Sequence, residues 1–164
     1  MYIPAHFRCT DLDVLATVID ENSFGTLVTM DEGRPFATHV PFVYERAEGL
    51  LHCHVARANP QWQHVASGND VMAIFTGPHG YISPTWYVSA GVPTWNYVAV
   101  HVYGSARTID DAAALGRHVE TLAARHERGE SPWVPDYHPR RLQGTVGIEV
   151  RVKEIQGRLK LTQK

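Results

Sequence analysis

The 164-residue chain lacks most of the short signatures that announce a chemistry. No GxGxxG or GxxxxGK[ST] loop follows a strand-like run, so neither a Rossmann nor a P-loop phosphate cradle is encoded. GxSxG, HExxH and paired-cysteine zinc spacings are missing as well, which leaves hydrolase readings without support. Cysteine is scarce. Cys9 and Cys53 stand far apart, an arrangement that suits a reduced, cytoplasmic protein. No apolar run approaches the roughly 20 residues that cross a bilayer, and residues 1–8 are short, polar and interrupted by Pro4, unlike a secretory signal. Basic charge is not in excess either: 15 Lys and Arg against 17 Asp and Glu leave a formal net charge of −2. A nucleic-acid surface would therefore need a local patch. The sequence offers only Arg140-Arg141 and the sparse set Arg151, Lys153, Arg158, Lys160 and Lys164.

What is plentiful is aromatic area in one place. Residues 77–97, GPHGYISPTWYVSAGVPTWNY, gather Trp86 and Trp95 with Tyr81, Tyr87, Tyr97 and three prolines. Such rings give a flat ligand a wall at little cost in entropy, while Ser83, Thr94 and Asn96 offer hydrogen bonds to its heteroatoms. Taken alone, the segment reads equally well as an aromatic loop packed on a β-domain. The hydroxyls on the bends at 83–85 and 93–94 favour a concave mouth over ordinary core.

Periodicity predicts an alternation of few helices and many strands. Thr10, with Asp13 behind it, reads as the start of a helix whose face carries Leu12, Leu15, Ala16 and Ile19. Residues 25–30 read as a strand, 31–33 as a tight turn and 36–44 as the hairpin partner. A third strand covers 50–55. Asn59-Pro60 then starts a short helix over 61–67 that stops at Gly68. Residues 71–76 and 81–83 read as strand, and 95–107 as the longest strand. Asp110 reads as the cap of a helix running to about His126, with Leu115, Val119, Leu122 and Ala123 inward and His118 and His126 on the surface or amphipathic face. Val146, Ile148, Val150 and Val152 alternate with polar residues in the cleanest strand signal. Short connections imply antiparallel pairing. One domain over 1–164 is expected, mainly β with flanking helices, as an antiparallel six- to seven-stranded closed or split β-barrel.

Two constellations could carry chemistry. His52 and His54 share one face of the third strand, and a metal or haem reading would add His39 or His101, although no spacing fixes a third ligand. Arg57 and Asn59 stand between that strand and a helix start, where an anion could be received. A helix cap and a solvated arginine explain the same two residues.

The blocks MYIPAHF, ATHVPF (37–42), HVARANPQW (54–62), IFTGPHGYISPTWY (74–87), VPTWNYVAVHVYG (92–104), VGIEV and KLTQ follow one another in an order that resembles the PaiB-like family of FMN-binding negative transcriptional regulators. The resemblance implies an FMN-binding split barrel that dimerises, with the flavin in a groove between subunits. It puts His54, Arg57 and Asn59 at the phosphate end, lines the groove with Tyr81, Ser83, Trp86, Thr94 and Asn96, and matches Lys160 and Gln163 to the family's C-terminal KLSQ block. That family continues beyond this block, whereas the sequence stops at Lys164, so flavin affinity is expected to be reduced or absent if the missing tail helps close the groove. Before VGIEV the family carries an acidic, helix-compatible stretch; PDYHPRRLQG stands there instead, and Pro139 should break a helix. Direct DNA binding is implied only by the family's name, because neither a helix-turn-helix nor a basic stripe is legible. No catalytic acid or base is singled out.

Overall fold

The computed structural model describes residues 1–66, 69–127, 129 and 131–161, with the side chain of Pro139 left aside. Eight strands and three α-helices alternate: β1 (Arg8–Cys9), α1 (Leu12–Glu21), β2 (Phe24–Asp31), β3 (Arg34–Pro41), β4 (Val43–Glu45), β5 (Leu50–Ala56), α2 (Gln61–Ala66), β6 (Asp70–Ile82), β7 (Thr94–Ile109), α3 (Ala112–His126) and β8 (Thr145–Lys160). All pairings are antiparallel, in the order β3-β2-β6-β7-β8-β5-β4, and β1 adds to β8. Edge strand β3 comes back within reach of β5, as expected of a sheet curling into a split barrel. Strand order and alternation agree with the expected mainly β, helix-flanked barrel; the count reaches eight because of the two-residue β1 and three-residue β4.

Each strand is made by period-two burial. Leu27 on β2, Leu51 and Cys53 on β5, Ala73 and Phe75 on β6, Val100 and Val102 on β7, and Ile148 and Val150 on β8 all lie inside. The β2–β3 hairpin turns on Glu32 and Gly33, both at positive φ, which matches the right-handed twist of the flanking strands. The long 36–44 partner strand expected from the sequence is instead two strands. Pairing with β2 ends at Pro41, and Phe42 goes into the core, its N–H donating to the Ser23 carbonyl at 2.8 Å. Val43 then pairs with His52 on β5. Pro78 cannot donate to a ladder, yet β6 does not break there. A register shift between Thr76 and His79 absorbs the proline, and the strand runs on to Ile82.

Two helix starts differ from expectation in the same way. Asp11, not Thr10, caps α1, its Oδ1 accepting from the N–H groups of Asp13 and Val14 at 2.9 and 3.3 Å; Leu12 is 64 % exposed and off the buried face. Asp111, not Asp110, caps α3 by accepting from the Ala114 N–H at 2.7 Å. A carboxylate must precede the first helical residue to reach the second or third N–H, and both helices begin one residue later than read. Asp110 is thereby free to point elsewhere. His118, expected on the surface or the amphipathic face, is buried under α3, while His126 is exposed. The proline-rich stretch before β8 carries no α-helix among its described residues. A 3₁₀ turn begins at Pro139 itself, where a missing N–H costs nothing. The predicted end of α2 at Ser67-Gly68 lies outside the described residues. No helix among the described residues is long and apolar enough to cross a membrane.

Gly104 sits where backbone of β8 presses closely on β7, at the irregularity where β7 steps past β8. A Cβ there would stand 2.2 Å from the Arg151 carbonyl oxygen, which cannot move without breaking the ladder. Gly104→Ala should therefore lower the urea-unfolding free energy by about 2–3 kcal/mol. Gly80→Ala, whose Cβ would meet nothing within 4 Å, should stay within about 0.5 kcal/mol of wild type.

Candidate functional site

The residues singled out in the sequence fall into two groups. At one end of the β7–β8 ladder, where Ile109 pairs with Gly147, β5 ends on Thr145 and delivers His54, Arg57 and Asn59. Arg57 is heavily engaged. Its Nε donates to the Gln143 carbonyl at 2.8 Å, and one terminal nitrogen reaches both the Asp110 carboxylate (2.5 Å) and the Thr145 carbonyl (3.3 Å). The other terminal nitrogen has no hydrogen bond among the described residues, and the side chain remains 43 % exposed. Asn59 does what a cap residue does, its Oδ1 accepting from the Gln61 N–H at 3.0 Å, while its amide donates to the Thr38 hydroxyl at 3.0 Å. His54 turns towards α3, where its Nδ1 meets His118 Nε2 at 3.1 Å.

At the other end of the ladder, Tyr97 pairs with Lys160. Tyr81 lies opposite Trp95 and Asn96 opposite Gly80, and the Tyr81 and Trp95 rings are tilted with centroids 6.3 Å apart. Lys160 Nζ donates to the Thr94 hydroxyl (2.5 Å) and the Trp95 carbonyl (2.8 Å), fixing the start of β7. Ser83 caps a 3₁₀ turn over Pro84–Trp86 and shares a 2.8 Å hydrogen bond with Thr85. Trp86 itself is 68 % exposed, and Tyr81 and Trp95 about half exposed. The ledge is open. Gln163 lies outside the described residues.

Within one chain these two groups do not meet. From Gly147 to Lys160 the ladder covers on the order of 40 Å along the strand at about 3.3 Å per residue. The donor set is still chemically apt for a phosphorylated planar ligand: exposed indole and phenol rings beside hydroxyls and an ammonium at one end, an arginine with a free edge at the other.

Sequence reasoning missed a third place. A cavity of about 500 Å³ opens between α3 and the outer face of β4, β5, β7 and β8; none of the ten residues assigned to the flavin lines it, and of the metal or haem candidates only His52 does. Its floor is a row of charged and titratable groups. Arg107 forks onto Glu149 at 2.7 and 3.0 Å; Glu149 Oε2 lies 4.0 Å from His52 Nδ1; His52 Nε2 lies 3.5 Å from Glu45. The last contact is too poorly formed for a hydrogen bond, so His52 Nε2 is buried without a hydrogen bond among the described residues. Glu149 and His118 are each only 9 % exposed. The signal was present in weak form. The polar face of β8 carries Glu149 opposite His52, and α3 brings another histidine over them, but a strand's outward face normally reads as solvated. The metal and haem set finds no common centre: His39 on β3 bonds Thr26 on β2, His101 stands on β7, and no group of three or more His, Cys, Asp or Glu among the described residues is poised to hold a metal.

The chain matches the model of a family described as a putative FMN-binding domain over residues 1–154. It is 37 % identical over 171 residues to protease synthase and sporulation protein PAI 2 of Bacillus subtilis, covering 99 % of this chain and 82 % of that protein. Among solved structures it resembles the flavocytochrome Anf3 of Azotobacter vinelandii, with a TM-score of 0.79 at 17 % identity over 96 % of this chain and 72 % of that one. The FAD and heme binding protein of Mycobacterium smegmatis gives 0.77 at 18 % identity over 94 % and 73 %. At such identities the structural likeness establishes the split-barrel fold.

Burial, and then repulsion from His54 and His52, pulls His118 from 6.5 down to about 4, and burial lowers His54 as well. The unfolded chain therefore takes up protons that the folded chain refuses as pH falls through the interval from 6.5 to 4. Stability is fully present above that window and should decline across it. Urea titrations at stepped pH should show this decline, with a shallower slope in His118→Leu, the remainder belonging to His54.

Proposed function

The chain belongs to the PaiB-like family of FMN-binding domains, and on that premise we propose that it works as a cytoplasmic homodimer with FMN held in two grooves between its subunits. FMN is the cofactor, and when bound it supplies redox chemistry or a sensed oxidation state. The protein's own residues bind and orient. Arg57 offers its free terminal nitrogen to the phosphate, with Asn59 holding the following turn. Tyr81, Trp86 and Trp95 offer a ring-stacking ledge, and Ser83, Thr94 and Asn96 the hydrogen bonds beside it. Lys160 keeps the ledge in place through Thr94.

The observation that carries this reading is the separation of the two groups. Each is open on one side, and a two-fold axis lays the ledge of one subunit on the Arg57 turn of the other. Residues from both partners would then exclude water from one flavin. The free thiols Cys9 and Cys53 fit a reducing compartment.

A regulatory role is better supported as indirect than as DNA contact. Among the described elements no two α-helices follow one another, so no helix-turn-helix is formed. Three of the C-terminal cations are engaged within the chain: Lys153 pairs with Asp70, Lys160 binds Thr94, and Arg158 sits against the rings of Tyr2, Phe7 and Tyr97.

Purified protein titrated with FMN should quench flavin fluorescence, and Arg57→Gln or Trp86→Ala should each weaken binding by about tenfold. Mixed refolding of the two variants separates the arrangements. Grooves shared between subunits leave one intact site in each mixed dimer, restoring about a quarter of the wild-type capacity. Grooves built within one subunit restore none. Protein indifferent to saturating FMN sinks the reading altogether.

A further inference from the structure

The cavity under α3 shares no lining residue with the flavin groove proposed above, so it asks for an occupant of its own. Its walls are chemically opposed. On the α3 and β7 side stand two guanidinium groups with donors to spare: Arg107 commits Nε and one terminal nitrogen to Glu149, and Arg117 has no side-chain partner among the described residues. On the β4 and β5 side stand acceptors. The Glu45 carboxylate receives no hydrogen bond among the described residues, and buried His52 Nε2 has none. Between the two sides, Val43, Ile109 and Ala114 offer apolar surface.

We propose that this cavity binds a small zwitterion with an apolar side chain, of the amino-acid or dipeptide class. The ligand's carboxylate is received by Arg117 and the free edge of Arg107, its ammonium by Glu45 and His52, and its side chain by Val43, Ile109 and Ala114. A ligand with one charge would leave one wall desolvated and unpaired, which costs more than a missing contact in open water. A volume of about 500 Å³ lies within the usual range for small-ligand sites and exceeds what a single ion would fill. The floor is already arranged to discriminate. Arg107 neutralises Glu149, Arg57 holds Asp110, and Asp111 is committed to capping α3, so the lining carboxylate that receives no hydrogen bond among the described residues is Glu45, at the rim.

The proposal is independent of flavin occupancy and is tested on the full chain loaded with FMN. Isothermal titration uses L-leucine and leucyl-leucine as probes, with isoamylamine and isocaproate as the same skeleton carrying one charge. At least one zwitterion should bind about tenfold more tightly than either singly charged analogue. Glu45→Gln should reduce zwitterion affinity to that of isocaproate, and Arg117→Gln to that of isoamylamine, with FMN retention unchanged in both. Both side chains are partly or fully exposed, so the fold should survive, which far-UV circular dichroism checks. The inference is overturned if neither zwitterion binds up to about 10 mM, if a singly charged analogue binds as well, or if the two variants bind like wild type.

Discussion

Strand β8 is the member on which the other parts depend. It is hydrogen-bonded on both edges, to β7 from Gly147 to Lys160 and to β5 from Thr145 to Arg151, and β1 takes up the remaining edge at Gly157 and Arg158. Such a strand cannot slip. A one-residue shift would exchange Ile148 and Val150 for Glu149 and Arg151 in the core and strand the backbone groups on both sides. With the register locked, everything attached to its two ends is held at a set separation. The Arg57 turn stays at one end and the aromatic ledge at the other.

That separation shapes function in opposite ways at the two kinds of site. For a planar phosphorylated ligand it means that, in the proposed dimer, each subunit supplies half of two sites. For the cavity under α3 it means the reverse. The outer face of β5 and β8 would ordinarily be solvated, but α3 lies across it and takes His52, His54, His118 and Glu149 out of water together. Burial, and then the two neighbouring histidines, keep His118 neutral, and Glu149 takes two donors of Arg107. Asp110 joins the two regions, since it lines the cavity while its carboxylate holds Arg57.

Much of the fold was legible in local pattern. The alternation at 146–152, the hairpin turn before Arg34 and the apolar run from Val71 are properties of neighbouring residues, and neighbours determine them. The errors share a cause. Asp11 rather than Thr10 and Asp111 rather than Asp110 cap helices because a single residue of offset is decided by which carboxylate can reach a free N–H in three dimensions. The division of the 36–44 run into β3 and β4 was hidden for a similar reason, since Phe42 leaves the ladder to enter a core assembled from distant strands. His118 read as a surface or amphipathic-face residue because nothing in helical spacing tells which wet-looking face will be covered.

Of the two kinds of site, the proposed flavin-binding half could be read from the sequence because its signals are local and redundant. Rings, bends and hydroxyls are crowded into residues 77–97, and Arg57 and Asn59 sit beside a helix start. The sequence by itself settled the strand content, the antiparallel pairing and the residue types available to a planar ligand, because side-chain alternation and turn chemistry act over a few residues. Only the tertiary structure decided which of those residues share a surface. It set Arg57 against Asp110, fifty-three positions away, and placed α3 over Glu149 and His52. Proximity between distant segments is fixed by ladder register and helix docking, and no local pattern encodes either.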